Sequence, residues 1–257
     1  MAENILEIRN LTKEYPGVVA LSDVSFDIRK NTVHCLVGEN GAGKSTLIKV
    51  LTGAIQRTKG TILLNGKEYH AANPNEARDK GISTLFQELN VVDQLTVEEN
   101  LTLGIEDTKF GFIRRTEKTD KVVETLRALD PSIDPKQRVE TLSAAKKQII
   151  EIAKAVSSNA DVIIMDEPTA ALSETEIQKL FGIVKDLRKN NVTVIYISHR
   201  LDEIFELADD VIVVYHIPFE QDDKISIRSL AHRDFAKLAP EFQNVHLLWN
   251  IEEELYL

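Results

Sequence analysis

Hydrophobic and polar residues follow two different periods along this chain, and these periods predict its strands and helices. Short β-branched and apolar runs bounded by turn-forming residues predict strands. The predicted strands are Ile5–Ile8, Val24–Ile28, Val33–Val37, Thr61–Leu64, Ile82–Phe86, Val162–Met165, Thr193–Ile197 and Val211–Tyr215. Lys30–Asn31, between the second and third runs, predicts a tight hairpin. The later runs are unbroken, which suits strands buried on both faces of a parallel sheet.

Apolar positions three or four residues apart predict helices between these strands. Residues 96–157 look predominantly helical, without a convincing strand, and lie between two predicted strands. This arrangement predicts an inserted helical subdomain. Within it, Ser143 is suited to cap a helix with a buried stripe at Ile149, Ile152, Ala153 and Val156. Ser173 and Glu176 form a capping box that opens a later helix.

Composition places the chain among globular proteins. Its 257 residues include 28% charged and 43% hydrophobic residues, and no apolar run exceeds five residues. The start, Met1–Asn4, lacks the basic flank and apolar core of a signal peptide. Cys35 is the only cysteine, and the net charge of −10 counts against a nucleic-acid surface. These features predict a soluble cytoplasmic protein that does not itself span a membrane.

A glycine-rich stretch, Gly38–Thr46, carries the main chemical prediction. It follows a predicted strand, precedes a predicted helix and matches the phosphate-loop pattern G-x-x-x-x-G-K-[ST]. Gly38, Gly41 and Gly43 would let the backbone aim its N–H groups at one point, at the positive end of the helix dipole. Lys44 could reach β- and γ-phosphates, and Ser45 could coordinate Mg²⁺. The alternative is an ordinary glycine-rich turn before a helix.

Two acids and a histidine follow later strands. Asp166 and Glu167 end the run that begins at Asp161, and His199 follows Ile197. In a phosphate-loop enzyme, Asp166 would hold Mg²⁺ through water, and Glu167 could orient or deprotonate the attacking water. His199 could contact a γ-phosphate. The alternatives are two solvated acids and a structural histidine.

Three weaker candidates complete the set. Tyr15 could stack on a base, or it could be a partial core residue. Gln87 ends a predicted strand and is a candidate contact to Mg²⁺ or water, although many strands end in glutamine. Lys146 and Lys147 oppose the dipole of the helix capped by Ser143, which an anion at that helix end would explain. A solvated basic turn explains the lysines equally well.

These residues, in this order, resemble the nucleotide-binding domain of ATP-binding-cassette (ABC) transporters over roughly residues 4–215. The resemblance implies an α/β fold: a phosphate-loop NTPase with a mostly parallel central sheet, an N-terminal antiparallel β subdomain and an inserted helical subdomain. It implies an ATP-binding domain at 1–215, a helical subdomain at about 90–157, and a C-terminal segment, 216–257, outside the family pattern.

The resemblance also implies a role for each candidate residue. ATP would be bound by Tyr15, Gly38, Asn40, Gly41, Ala42, Gly43, Lys44, Ser45, Thr46 and Ser143, the serine acting from the other cassette of a head-to-tail dimer. Mg²⁺ would be held by Ser45, Gln87 and Asp166. Glu167, His199 and Gln87 would take part in hydrolysis.

Within the family, the chain is similar to ATPases of ribose, galactose or xylose importers, and it resembles the first cassette of their two-cassette chains. This likeness implies uptake of a sugar, with transmembrane permease subunits and a second cassette as partners. A sugar-binding protein would take part indirectly, and the chain would lie on the inner face of the membrane. No nucleic-acid partner is implied.

Three departures from the family pattern keep alternatives open. The usual Leu-Ser-Gly-Gly-Gln signature has Ala144, Ala145 and Lys146 after its serine, and the loop after the acids ends in Ser173 where aspartate is usual. Residues 216–257 replace the expected return strand. A truncated, catalytically impaired cassette is therefore one alternative, and a soluble cassette ATPase acting in nucleic-acid repair or translation is another. A phosphate-loop kinase ranks last.

Overall fold

The structure is a computed structural model that describes residues 3–38, 41–86, 90–104, 107–109, 112–114, 117–217 and 244–251. A parallel sheet and an antiparallel sheet share one core, and a group of helices is inserted between two strands of the parallel sheet. This architecture confirms the predicted fold class.

Within the described ranges, the parallel sheet has six strands in the order β12-β11-β3-β10-β9-β6. Each described strand pair in it is parallel. Its strands are β3 (Val33–Gly38), β6 (Ile82–Leu85), β9 (Val162–Asp166), β10 (Thr193–Ile197), β11 (Asp210–Ile217) and β12 (Asn244–Ile251). The order places β10 between β3 and β9, so the strands that carry the main candidate residues are neighbours.

Side chains of the parallel strands alternate between two apolar layers, as the period of a strand requires. In β9, Val162 and Ile164 face the antiparallel sheet, whereas Ile163 and Met165 face helices on the other side. These side chains are fully buried. Burial on both faces is the reason why the sequence shows an unbroken apolar run there.

The antiparallel sheet has the order β2-β1-β4-β5. Its strands are β1 (Asn4–Tyr15), β2 (Val18–Arg29), β4 (Lys59–Leu64) and β5 (Lys67–Glu68), and the first two are much longer than the sequence pattern predicted. The predicted hairpin at Lys30–Asn31 is wrong, because β2 belongs to this sheet and β3 to the parallel one. Asn31 has φ 58°, and its N–H donates to Thr193 Oγ1 at 3.0 Å, which directs the chain into the second sheet.

Four helices in the described residues lie outside the insert and cover the sheets. They are α1 (Lys44–Leu51), α2 (Pro74–Asp79), α6 (Glu174–Lys189) and α7 (Leu201–Leu207). The predicted capping box of α6 is present, with the Ser173 N–H donating to Glu176 Oε2 at 2.8 Å. In the described parts of the chain, no helix is both long enough and apolar enough to cross a membrane.

The inserted helices are α3 (Val97–Thr102), α4 (Glu117–Leu129) and α5 (Ala144–Val156), with a 3₁₀ turn at Val139–Thr141. Buried residues of all three helices share one apolar cluster that includes Val97, Leu126 and Ile149. The expectation that residues 96–157 hold no strand is wrong, because β7 (Asp107–Lys109) and β8 (Phe112–Arg114) form a short hairpin. The domain limits at 90, 157 and 215 stay predictions.

Candidate functional site

The candidate residues come together because neighbouring parallel strands end at one edge of the sheet. Asp166 pairs in register with Ile197, and Ile197 pairs with Leu36. The acids, His199 and the glycine-rich loop therefore begin at the same level, at the carboxyl ends of β9, β10 and β3. This is the edge at which α/β sheets bind ligands. Gln87 and Asn40 lie outside the described residues.

The glycines of the loop are required by its geometry, for two different reasons. Gly41 and Gly43 have φ angles of 87° and 101°, a left-handed conformation that favours glycine. Gly38 has φ 158°, and a Cβ atom there would lie 2.3 Å from the Val214 carbonyl oxygen on β11. The sequence predicted a tight bend, but only the structure shows that Gly38 is needed for close packing of two strands.

Lys44, Ser45 and Thr46 form the first turn of α1, which Gly43 precedes as the N-cap residue. The Lys44 Nζ atom donates a hydrogen bond to the Gly38 carbonyl at 2.6 Å, so its ammonium group lies across the loop. Ser45 is exposed, Thr46 is half-buried and Ala42 is fully buried. A cation, a helix N-terminus and two glycine bends fit the requirements of a phosphate group.

Asp166 lies at the end of β9, half-buried and within electrostatic reach of the loop. Burial raises the pKa of this carboxyl group, and the neighbouring Glu167 raises it further. The ammonium groups of Lys44 and Lys49 act in the opposite direction and lower this pKa. The acid thus shares one electrostatic environment with the lysine of the glycine-rich loop, 122 positions away in sequence (166 minus 44).

Glu167 directly follows the strand in a left-handed conformation, with φ 46°. Its N–H donates to the Ile197 carbonyl at 3.1 Å, and its Oε1 lies 3.3 Å from His199 Nδ1. The His199 side chain is 72% exposed and that of Glu167 is 24% exposed, so both can meet a ligand at the sheet edge. Asn and Asp adopt this conformation readily, but for a residue such as Glu it costs about 1–3 kcal/mol and persists only where surrounding contacts maintain it.

The arrangement suits Mg²⁺ only in combination with another ligand. Among the residues that the structure describes, no group of three or more His, Cys, Asp or Glu side chains could hold a metal ion. Mg²⁺ is commonly held by one or two protein oxygens together with phosphates and water. Ser45 and Asp166 could supply those protein oxygens.

Tyr15 and Ser143 lie on other elements, at the end of β1 and at the N-cap of α5. Tyr15 ends β1 at the hairpin with Val18, its side chain is 40% exposed, and Lys13 Nζ lies 4.9 Å from its ring centre. Ser143 is exposed and caps α5, accepting a long hydrogen bond of 3.4 Å from the Lys146 N–H. The cap prediction is confirmed, and the role of Tyr15 stays a prediction.

Glu203 is a residue that the sequence analysis missed. Its side chain is 2% exposed, and it accepts hydrogen bonds from residues in the loops that carry Glu167 and His199. The sequence held one indication of its role: Glu203 lies four positions before Leu207, on the buried face of α7. The apolar residues Leu201 and Phe205 on the same helix obscured it.

Comparison with known proteins identifies the family. Residues 21–170 match the family described as ABC transporter. The chain is 46% identical over 209 residues to a putative ribose/galactose/methyl galactoside import ATP-binding protein of Hahella chejuensis, which covers 81% of this chain and 41% of that protein. It is 48% identical over 210 residues to a ribose import ATP-binding protein of Rubrobacter xylanophilus, with 82% and 42% covered.

A xylose import ATP-binding protein of Thermoanaerobacter pseudethanolicus is 45% identical over 216 residues, with 83% of this chain and 43% of that protein covered. The chain thus spans about two fifths of the length of these curated relatives.

Solved structures of ABC cassettes share the fold. A nucleotide-free ATP-binding cassette from an ABC transporter superposes with a TM-score of 0.74 at 29% identity, covering 82% of this chain and 88% of that one. The ADP conformation of another cassette gives a TM-score of 0.75 at 27% identity, covering 92% and 98%. Together with the match over residues 21–170, these findings show that the chain belongs to the ABC transporter family.

Proposed function

We propose that this chain binds and hydrolyses ATP and drives the import of a sugar. The observation that carries the proposal is the grouping of Lys44, Asp166, Glu167 and His199 at one edge of the parallel sheet. The names of the relatives, which are import ATP-binding proteins for ribose, galactose or xylose, support the sugar class.

In this proposal the loop Gly38–Thr46 binds the phosphates of ATP. The Lys44 ammonium group neutralises phosphate charge, and the first turn of α1 contributes its N–H groups and dipole. Asn40 and Ala42 belong to the same loop, and Tyr15 stacks on the adenine ring. Mg²⁺, when bound, neutralises charge on the transferred phosphoryl group, and Ser45, Asp166 and Gln87 would hold it.

The acid and the histidine perform the hydrolytic step. Glu167 orients the attacking water and accepts its proton, while His199 contacts the γ-phosphate from the end of the neighbouring strand. The 3.3 Å contact between Nδ1 and Oε1 keeps the two side chains together. Most of the catalysis in such reactions comes from positioning and charge stabilisation, for which rigid strand ends are well suited.

The partners follow from the import function. A second cassette, facing the first head to tail, would place its Ser143 against the phosphates bound here. Transmembrane permease subunits would receive the movement through the Gln87 region, with a sugar-binding protein acting indirectly. The chain would then lie in the cytoplasm, peripheral to the inner face of the membrane.

The substitution Glu167→Gln tests the hydrolytic proposal. We expect ATP binding to persist, because the phosphate loop is untouched, and turnover to fall by at least about 10²-fold, the usual contribution of a general base. Binding of a fluorescent ATP analogue and release of phosphate measure the two effects. Glu174→Gln, an exposed acid at the start of α6, controls for the loss of one charge. Substantial hydrolysis by the Glu167→Gln variant would remove Glu167 from this role, and a native chain without ATP affinity would refute the proposal as a whole.

A further inference from the structure

Glu203 lies in α7 and accepts hydrogen bonds from three hydroxyl groups on other elements. Thr169 Oγ1 donates to its Oε1 at 2.8 Å, and Tyr196 OH and Ser198 Oγ donate to its Oε2 at 3.0 Å and 2.7 Å. Arg200 adds an ion pair to Oε1 at 2.9 Å. Both oxygens of a buried carboxylate are therefore satisfied by partners from two segments of chain.

Helix α7 buries this carboxylate while two of its apolar side chains stay exposed. Glu203 is 2% exposed, whereas Leu201 and Phe205 on the same helix are 51% and 42% exposed. Transferring a charge from water is unfavourable unless the interior supplies compensating partners. The orientation of α7 therefore depends on the hydrogen bonds to Glu203 as well as on apolar burial by Ile204 and Leu207.

Two of these partners belong to the loops that carry the proposed catalytic side chains. Thr169 lies two residues after Glu167, and Ser198 directly precedes His199. Ser198 Oγ also accepts the Arg200 N–H at 3.0 Å, which fixes the backbone on the far side of His199. One carboxylate thus connects the end of β9 with the end of β10.

We infer that Glu203 is a positioning residue, which holds Glu167 and His199 in register for the proposed hydrolysis. The inference rests on the proposed function. Glu203 acts through the backbone of the two loops. Its restraint is needed because Glu167 has a left-handed backbone, which persists only when surrounding contacts maintain it.

The inference predicts a separation of turnover from nucleotide binding. The partners of Glu203 named above lie after β9, in β10 and between β10 and α7, whereas the phosphate loop follows β3. Loosening the two catalytic loops should therefore lower kcat and leave KM for ATP unchanged. Small misplacements of a reacting group can lower rates by up to about 10²-fold.

Paired substitutions test this separation in the full chain. We expect Thr169→Val, which removes the hydroxyl but keeps the shape, to lower kcat about tenfold with KM within about twofold. Thr169→Ser keeps the hydroxyl and should restore kcat. Ser198→Ala releases the second loop and should lower kcat to a similar extent, which keeps the test decisive if one variant does not fold.

Tyr196→Phe is the matched control. It removes a hydrogen bond to the same carboxylate, but Tyr196 lies within β10 and is held by the strand ladder. We expect its kcat to stay within about twofold of the native value, even if its melting temperature falls. Equal losses of kcat in Tyr196→Phe and Thr169→Val, or no loss in Thr169→Val and Ser198→Ala, would overturn the inference.

Hydrogen exchange provides a readout that does not need turnover. Amides of residues 167, 169–172 and 198–201 should exchange faster in Thr169→Val and Ser198→Ala, and at the native rate in Tyr196→Phe. Amides of α1 should be unaffected throughout. A native chain that does not hydrolyse ATP would refute the proposed function, whereas unchanged exchange in both loops would refute the role of Glu203.

Discussion

At Gly38 the phosphate loop passes so close to the neighbouring strand that a methyl group has no room. A Cβ atom would lie 2.3 Å from the Val214 carbonyl oxygen, and a backbone atom cannot move aside as a flexible side chain can. Gly182 in α6 provides the contrast, because a Cβ atom there would meet nothing within 4 Å. The two positions allow a direct test of close packing.

We predict that Gly38→Ala destabilises the chain by about 1–3 kcal/mol, the usual range for overpacking. Gly182→Ala should stabilise it by about 0.5–1 kcal/mol, because alanine favours a helix. Urea denaturation followed by circular dichroism measures both changes. A Gly38→Ala variant as stable as the native chain would show that β3 and β11 can separate without loss.

Asp166 links the proposed chemistry to pH-dependent stability. Burial and Glu167 raise the pKa of its carboxyl group in the folded state above the ordinary value of about 3.9. The folded chain therefore holds this proton at a pH where the unfolded chain has lost it. Stability supplied by the protonated form is present at low pH and is lost as the pH rises through the folded-state pKa.

We predict that Asp166→Asn raises the melting temperature at pH 7, because it removes a partly buried charge, while it abolishes ATP turnover. The gain should shrink as the pH falls through the folded-state pKa and should be smallest below about 3.9, where aspartate is protonated in both states. Asp79→Asn, at an exposed position in α2, is the control for charge loss. Melting curves across this pH range measure the gain. A rise in melting temperature that stayed constant with pH would contradict the prediction.

At the scale of elements, an ion pair joins the two sheets. Arg29, at the end of β2, donates from Nε and Nη2 to the two carboxylate oxygens of Asp210, at 2.8 Å and 2.7 Å. The Asp210 side chain is fully buried and that of Arg29 is 25% exposed. Since β11 begins at Asp210, this pair fixes the end of the antiparallel sheet against the start of a parallel strand.

We predict that Arg29→Met destabilises the chain by about 3 kcal/mol or more, because it leaves a buried carboxylate without its main cation. Arg9→Met is the control, since Arg9 pairs with Glu7 and Asp27 at 42% exposure and should contribute less than about 1 kcal/mol. Methionine keeps the apolar stem in both cases. Equal effects in urea denaturation would show that the buried pair has no special role in joining the sheets.

At the scale of the whole molecule, β12 extends the central sheet beyond β11. β12 pairs in parallel with the whole of β11, from Asp210 opposite Asn244 to Ile217 opposite Ile251. Without β12, the ladder edge of β11 would be open, and open edges promote association with other chains. Side chains of β11 from Val211 to Val214 are buried, so this strand belongs to the core.

We predict that a chain ending at Ile217 melts at a temperature lower by at least about 4 °C, which corresponds to a loss of more than 1 kcal/mol at this size. This truncated chain should also associate, and therefore scatter light, at a lower protein concentration than the native chain does. A chain ending at Ile251 keeps β12 and should behave as the native chain does. Identical melting and scattering for the two truncations would show that β12 does not protect the edge.

The sequence by itself determined the local features of this protein. The glycine-rich loop, the acids after an unbroken apolar run, the cap at Ser143 and the capping box at Ser173 each depend on spacing within a few residues. Strand and helix geometry translates such spacing directly into structure. The fold class and the edge of the sheet that carries the candidate site were therefore predictable.

The tertiary structure decided which distant segments meet. It separated β2 and β3 into different sheets, placed β12 beside β11, and joined Arg29 to Asp210 across 181 positions. It also turned α7 so that Glu203 is buried and Leu201 is exposed, against the apolar pattern of that helix. Periodicity describes one element at a time, whereas the partners of a buried charge come from elements whose neighbours only the completed sheet determines.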